Sequence, residues 1–203
     1  MAMKLFFAPA SPFTRKVRIV AIEKGLHDRI ELVTAPPMKN LPELHRANPM
    51  GGIPALLLED GESLYDSPVI CEYLDSLAEK PRLFPASGME RFRALRSQAL
   101  ADGLMEFAVE IVYERRRTDA EISQSVIARR TKGIERTLAA IDAEIADLPE
   151  TPDIRHIGFG AALGYVSFRL PEINWQKAHP RMKRWYGKFS ERPSMKETEP
   201  GDS

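Results

Sequence analysis

Residues 4–25 have the sequence KLFFAPASPFTRKVRIVAIEKG and predict a strand that leads through a short loop into a helix. The run at residues 4–8 is apolar and ends at Pro9, as expected of a buried strand. From Phe13 onward the apolar residues recur at helical spacing, charged residues take the opposite face, and Gly25 closes the helix. The loop between the two elements contains Ser11.

The next fifty residues predict the rest of a small sheet. Residues 30–33 read as a second strand, and residues 35–54, rich in proline, are expected to be mostly irregular. A hairpin follows, with its turn at Asp60-Gly61. A helix then begins at once, with Ser67 as its N-cap and Pro68 at its first helical position. This order describes a small sheet with helices packed on it.

Sparse strand signals after residue 79 predict a second domain of a different class. Residues 80–88 contain two prolines and a glycine and read as a linker. The predicted fold is therefore an α/β domain at residues 1–79 followed by an all-α domain at residues 89–203.

Four helices are predicted in the second domain. The first is long, and its expected core stripe consists of Leu95, Ala99, Met105, Val109 and Val112. The second has its apolar stripe in residues 134–148, the third starts after the cap residue Asp153, and the fourth starts near Pro180. Residues 193–203 are expected to form a loose tail.

The composition excludes several classes of function. The 29 basic and 29 acidic residues balance, which predicts no attraction to nucleic acid or to anionic lipid. No apolar run approaches the roughly 18 to 20 residues needed to span a bilayer, and the start lacks a secretory signal, so a cytoplasmic protein is expected. One cysteine and four scattered histidines predict neither an internal disulfide nor a metal site.

Three segments together resemble bacterial members of the glutathione S-transferase family. They are SPFTRKVRI at residues 11–19, NPMGGIPALLLEDG at residues 48–61, and YDSPVICEYL at residues 65–74. The resemblance covers nearly the whole chain and implies a thioredoxin-like, glutathione-binding first domain. It also implies a helical second domain, a homodimer and a role in detoxification.

The resemblance implies that Ser11 is the catalytic residue, which donates a hydrogen bond to the glutathione sulfur. A thiolate is favoured at this place because the following helix points its free N–H groups there. A serine cannot form a mixed disulfide, so exchange through this residue is not expected. The alternative role for Ser11 is a simple helix cap. Phe13 either contacts glutathione or only packs in the core.

The other two segments imply the rest of the glutathione site. By resemblance the Ile53-Pro54 bond is cis, and the backbone of Ile53 pairs with the cysteinyl part of glutathione as an added strand does. Asp66 is expected to bind the γ-glutamyl ammonium, and Ser67 its carboxylate. Lys39 is expected to reach the glycyl carboxylate. An ordinary trans proline, a helix cap and a solvated lysine are the respective alternatives.

Two features depart from the family pattern or lie outside it. His156 stands where the family has an aspartate three residues after the cap of a core helix, and it is expected to be a poorer reciprocal partner for Asp153. Residues 114–117 carry a run of charge that either lines the substrate cleft, meets an acidic partner or is solvated.

The leading hypothesis is a transferase that binds glutathione as its thiolate and adds it to a small hydrophobic electrophile. The alternative is a non-catalytic module of the same fold that binds glutathione or another protein, because fold alone does not imply activity.

Overall fold

The computed structural model of the protein describes residues 2–201. Contacts divide this part of the chain into two compact units, one of residues 2–86 with 193–201 and the other of Ser87–Arg192. The first unit extends beyond residue 79, where the sequence predicts its end. Two backbone N–H groups of the expected linker, those of Leu83 and Phe84, donate to the Asp75 carboxylate at 2.9 and 3.1 Å.

The first unit is built on a four-stranded mixed sheet, which confirms the small sheet that the sequence predicts. Its strands are β1 (Met3–Phe7), β2 (Ile30–Thr34), β3 (Ala55–Leu57) and β4 (Ser63–Leu64). They lie in the order β2-β1-β3-β4, with β1 and β2 parallel and the β1–β3 and β3–β4 pairs antiparallel. The parallel pair is joined through the helix α1 (Pro12–Glu23), as such crossovers require.

Two more helices complete the sheet unit, α2 (Pro42–Ala47) and α3 (Ser67–Ser76). Helix α3 packs against α1. Helix α2 lies in the stretch that was expected to be mostly irregular, so this part of the prediction was incomplete. Its six residues are too few to show a helical period, and it is stabilised because Leu44 and Ala47 enter a small core with Phe6.

The second unit is all-helical, as predicted. It contains α4 (Gly88–Glu114), α5 (Gln124–Glu144), α6 (Ile154–Arg169), α7 (Trp175–Ala178) and α8 (Pro180–Phe189). Helix α4 packs against both α5 and α6. Nearly every side chain in the first three turns of α6 is buried, which places this helix at the centre of the unit.

The buried face of α4 differs from the predicted stripe. Of the five residues expected in the core only Met105 is buried, and Ala99 is exposed. The face that packs consists of Ala94, Ser97, Gln98, Ala101, Leu104, Met105, Ala108 and Ile111. Four of these eight residues are alanine or serine, and α6 approaches closely at one of them, Ala101. A Cβ added at Gly158 would lie 3.1 Å from that of Ala101.

Helix α6 begins with a reciprocal cap between Asp153 and His156, a residue that was expected to be a poorer partner than a carboxylate. Asp153 Oδ1 accepts from the N–H of Arg155 at 3.0 Å, and His156 Nδ1 accepts from the N–H of Asp153 at 3.2 Å. An unprotonated ring nitrogen is an acceptor, as a carboxylate oxygen is, and therefore serves in the same place.

The C-terminal segment is not a loose tail in the part that the structure describes. A short helix, α9 (Pro193–Glu197), packs on α1 within the first unit. Ser194, Met195 and Thr198 are each about 1% exposed. The buried Arg15 donates to the Met195 carbonyl at 3.1 Å, so the segment is stabilised by partners nearly two hundred residues earlier in the chain.

Candidate functional site

The sheet brings the three sequence segments to one of its edges. Strand β1 ends four residues before Ser11. Phe6 near that end lies opposite Ala55, the first residue of antiparallel β3, so the Ile53-Pro54 bond emerges at the same edge. Strand β4 runs antiparallel to β3, and therefore Asp66, which follows β4, comes to this edge as well.

Ser11 lies at the N-terminus of α1 and is half-buried. Its Oγ accepts a hydrogen bond from the N–H of Thr14 at 3.3 Å, which is the capping role expected of a serine at this position. Because the oxygen acts here as an acceptor, the hydroxyl hydrogen is left to donate to a ligand. Pro12 follows at the first helical position. The cap and a donor role are therefore compatible.

The Ile53-Pro54 peptide bond is cis, as the resemblance predicts. Pro54 is buried and Ile53 is half-buried, directly before the first residue of β3. The sheet pairing of β3 begins at Ala55, so the backbone of Ile53 lies just beyond the ladder with β1. A backbone in this position can pair with a peptide-like ligand.

Asn48 stabilises the loop that precedes this bond, and the sequence analysis assigned it no role. Asn48 is 2% exposed. Its Nδ2 donates to the Gly52 carbonyl at 2.9 Å, and its Oδ1 accepts from the N–H of Met50 at 3.1 Å. Gly51 between them has a φ of 65°, which a glycine adopts without strain. An asparagine followed by Pro49 and two glycines is a turn signal that could have identified the role.

Asp66 and Ser67 lie at the N-terminus of α3. The N-cap is Asp66 and not Ser67, which corrects the sequence prediction by one residue. The exposed Asp66 side chain makes no capping hydrogen bond, while Ser67 is 2% exposed. The carboxylate therefore remains available to a cation, and the N–H groups of the first turn are not occupied by it. The Tyr65-Asp66 peptide bond is also cis.

Lys39 and Phe13 flank the same edge from different elements. Parallel pairing sets Thr34 of β2 beside Phe7, and the Ala35 N–H donates to the Phe7 carbonyl at 2.7 Å. Lys39 follows in a short 3-10 helix at Pro37–Lys39 and is exposed. Phe13 is half-buried in the first turn of α1.

These groups match a peptide-like ligand that carries both signs of charge. A hydroxyl donor and a helix N-terminus stabilise an anion near Ser11, an extended backbone offers strand pairing at Ile53, and Asp66 offers a partner for an ammonium.

Among residues 2–201 no group of three or more His, Cys, Asp or Glu side chains could hold a metal ion. None of the described helices is both long and apolar enough to cross a membrane.

Both halves of the chain match models of one protein family. Residues 10–77 match the glutathione S-transferase N-terminal domain, and residues 124–188 match the glutathione S-transferase C-terminal domain. The uncharacterized GST-like protein YibF of Escherichia coli is 31% identical over 201 residues, which is 98% of each chain.

Solved structures agree with this assignment. A glutathione transferase family member from Pseudomonas fluorescens Pf-5, with bound glutathione, is 39% identical with a TM-score of 0.95, over 99% of this chain and 100% of that one. A structure described in the same words but with bound S-(propanoic acid)-glutathione has a TM-score of 0.90 at 39% identity, over 98% of this chain and all of that one. The chain belongs to the glutathione S-transferase family.

Proposed function

We propose that the protein is a glutathione S-transferase that binds glutathione as its thiolate beside Ser11 and transfers it to a small hydrophobic electrophile. The observation that carries this proposal is the convergence of Ser11, Ile53-Pro54 and Asp66-Ser67 at one edge of the sheet. The relatives with glutathione or one of its thioethers bound support the same ligand here.

Each residue of the edge has a distinct role in the proposed complex. The hydroxyl of Ser11 donates to the sulfur, and the N-terminus of α1 adds its partial positive charge. A cysteine-type thiol has a pKa of about 8.5, so these two effects raise the fraction of thiolate at neutral pH. Because the thiolate is the nucleophile, its stabilisation and its orientation supply most of the catalysis.

The remaining residues hold the peptide in one orientation. The backbone of Ile53 pairs with the cysteinyl residue, Asp66 binds the γ-glutamyl ammonium, and the N-terminus of α3 with Ser67 binds the neighbouring carboxylate. Lys39 pairs with the glycyl carboxylate, and Phe13 contributes apolar contact beside Ser11.

The proposal includes the wider setting that the family implies. The protein is proposed to act in the cytoplasm in detoxification and to form a homodimer across a two-fold axis. Light scattering at micromolar concentration tests the last statement, and a mass of one 22.9 kDa chain would contradict it.

Calorimetric titration with glutathione tests the central claim. Asp66→Asn keeps the size of the side chain but removes its charge. The loss of a hydrogen bond to a charged group is expected to weaken the affinity for glutathione by roughly tenfold or more. Glu62→Gln removes an exposed carboxylate from the preceding turn and serves as the matched control, with unchanged affinity expected. If the wild-type protein binds no glutathione, the transferase proposal is contradicted. The remaining hypothesis is then a non-catalytic module of the same fold that contacts another protein.

A further inference from the structure

A cleft of about 290 Å³ lies in the second unit, where the loop between α5 and α6 meets α8. The loop contributes the apolar side chains of Leu148, Pro149 and Pro152 to its lining. Helix α8 contributes the aromatic rings of Trp185 and Phe189. All residues that line the cleft belong to Ser87–Arg192, so the cleft lies within a single unit.

Three rings of the lining are packed on one another. The Trp185 and Phe189 rings stack with their centroids 5.2 Å apart and 9° between their planes. The His156 ring lies 6.1 Å from Trp185 and 6.0 Å from Phe189. Phe189 is 6% exposed, whereas Trp185 is only half-buried. A partly exposed indole held in a packed cluster favours stacking of a further planar group, because little has to be ordered on binding.

His156 supplies a hydrogen-bond donor of fixed tautomer. The residue is 5% exposed, and its Nδ1 accepts from the N–H of Asp153 at 3.2 Å. A neutral imidazole that accepts at Nδ1 carries its proton on Nε2. Nε2 makes no hydrogen bond with any residue that the structure describes. A largely buried donor without an acceptor costs free energy, so an acceptor atom of a ligand is favoured beside it.

The charged residues of the lining leave a net positive charge. Lys188 and Arg192 are its cations, and Glu150 is its carboxylate. Within the described part of the chain neither Lys188 nor Glu150 has an ion-pair partner, so no contact neutralises the Lys188 ammonium. The Arg192 guanidinium carbon lies 5.9 Å from the Phe189 ring centroid, a cation–π contact. An anionic group on the ligand complements this charge.

We propose that this cleft binds a small planar aromatic carboxylate. The ring of the ligand stacks on Trp185, while its carboxylate accepts from His156 Nε2–H and pairs with the Lys188 ammonium. The volume is near the lower limit of about 300 Å³ for small-molecule sites, which restricts the ligand to one ring or two fused rings. The inference does not depend on the proposed transferase function, because none of these residues belongs to the first unit.

Calorimetric titration of the full chain with a matched pair of probes tests the inference. Cinnamate and cinnamamide are both planar and nearly equal in size, and they differ in charge. The wild-type protein is expected to bind cinnamate about tenfold more tightly than cinnamamide, because only the acid makes a charge-assisted hydrogen bond. Lys188→Gln is expected to reduce this ratio to about two. Because the ratio is taken within one protein, a general loss of stability does not change it.

Two further variants complete the test. Trp185→Leu removes the stacking surface and is expected to weaken the affinity for both probes by about tenfold. Lys183→Gln is the matched control for Lys188→Gln, since it removes an exposed lysine of the same helix that does not line the cleft. It is expected to keep the preference for cinnamate.

Several results would overturn the inference. They are a wild type that binds neither probe at millimolar concentration, and equal affinity of the wild type for cinnamate and cinnamamide. A preference for cinnamate that survives Lys188→Gln, or that falls equally in Lys183→Gln, would also overturn it. So would an unchanged affinity for both probes in Trp185→Leu.

Discussion

Lys24 Nζ lies 2.7 Å from Asp75 Oδ1 and has no exposed side-chain surface. It also donates to the carbonyls of Ala78 and Pro81, each at 2.6 Å, so all three of its N–H donors are used. Lys24 is the C-cap residue of α1, and Asp75 lies in the last turn of α3. This contact therefore joins the C-terminal ends of α1, whose N-cap is Ser11, and of α3, whose first residue is Ser67.

Removing one partner of this buried pair is expected to be strongly destabilising. Lys24→Met leaves the Asp75 carboxylate without its cation and two carbonyls without donors, and it should lower the free energy of unfolding by about 3 kcal/mol or more. Lys4→Met breaks the pair of Lys4 with Glu31, in which both side chains are about half exposed, and should cost less than about 1 kcal/mol. Urea unfolding measures the free energy of unfolding of both variants. Equal losses in Lys24→Met and Lys4→Met would contradict the greater contribution of the buried pair.

Ser11→Ala is expected to raise the pKa of the glutathione thiol in the complex. The variant removes a donor to an anion, worth about 1.5–3 kcal/mol, which corresponds to a rise of roughly one to two in the pKa. The ultraviolet absorbance of the thiolate, followed against pH in the complex, measures it. Ser11→Thr retains a hydroxyl, so the pKa of the glutathione thiol in its complex should stay near that of the wild type. An unchanged pKa in Ser11→Ala would limit Ser11 to its capping role.

The cap of α6 predicts a specific loss of stability in acid. Burial opposes ionisation of Asp153, but the two hydrogen bonds that its Oδ2 accepts from the Arg155 guanidinium and the charge of Arg155 outweigh this and lower its pKa. A lowered pKa stabilises the fold above the unfolded value of about 3.9, and the stabilisation disappears as pH falls through the folded value.

Asp153→Asn is therefore expected to be less stable than the wild type near neutral pH, by about 1 kcal/mol, because the charge-assisted contacts are lost. The difference should narrow as the pH falls below about 4. Urea unfolding of both proteins across this range measures it. Asp28→Asn changes a side chain that is 91% exposed, and its free energy of unfolding should equal that of the wild type at every pH. A difference in the free energy of unfolding between the wild type and Asp153→Asn that does not change with pH would refute the role of the Asp153 charge.

Two glycines inside helices are expected to respond oppositely to alanine. Gly103 in α4 has no atom within 4 Å of an added Cβ, so Gly103→Ala should stabilise the protein by about 0.5–1 kcal/mol. A Cβ on Gly133 in α5 would lie 2.8 Å from Phe107 Cε2, so Gly133→Ala should destabilise it by about 1–3 kcal/mol. Thermal unfolding separates the two, and a shift of the same sign in both would contradict the packing of α5 on Phe107.

Much of the first unit could be predicted because its signals are local. The apolar run before Pro9, the turn at Asp60-Gly61 and the helical spacing after Phe13 each involve a few neighbouring residues, and the structure confirms the corresponding elements. Helix α2 was missed because six residues carry no readable period. The cap of α3 was misplaced from Asp66 to Ser67 because both residue types cap helices and only the backbone geometry separates them.

Sequence by itself determined the order of the strands and of the longer helices, the place of Ser11 at the start of a helix and the α/β-then-α arrangement. It could do so because turns, caps and periodicity act over short distances. Only the tertiary structure decided which face of α4 is buried, that Met195 packs against α1 and that His156 completes a cap. It also decided that the Arg116 guanidinium lies over the Tyr113 ring. These features depend on contacts with residues that only folding brings close. The spacing of residues along the chain does not predict such contacts.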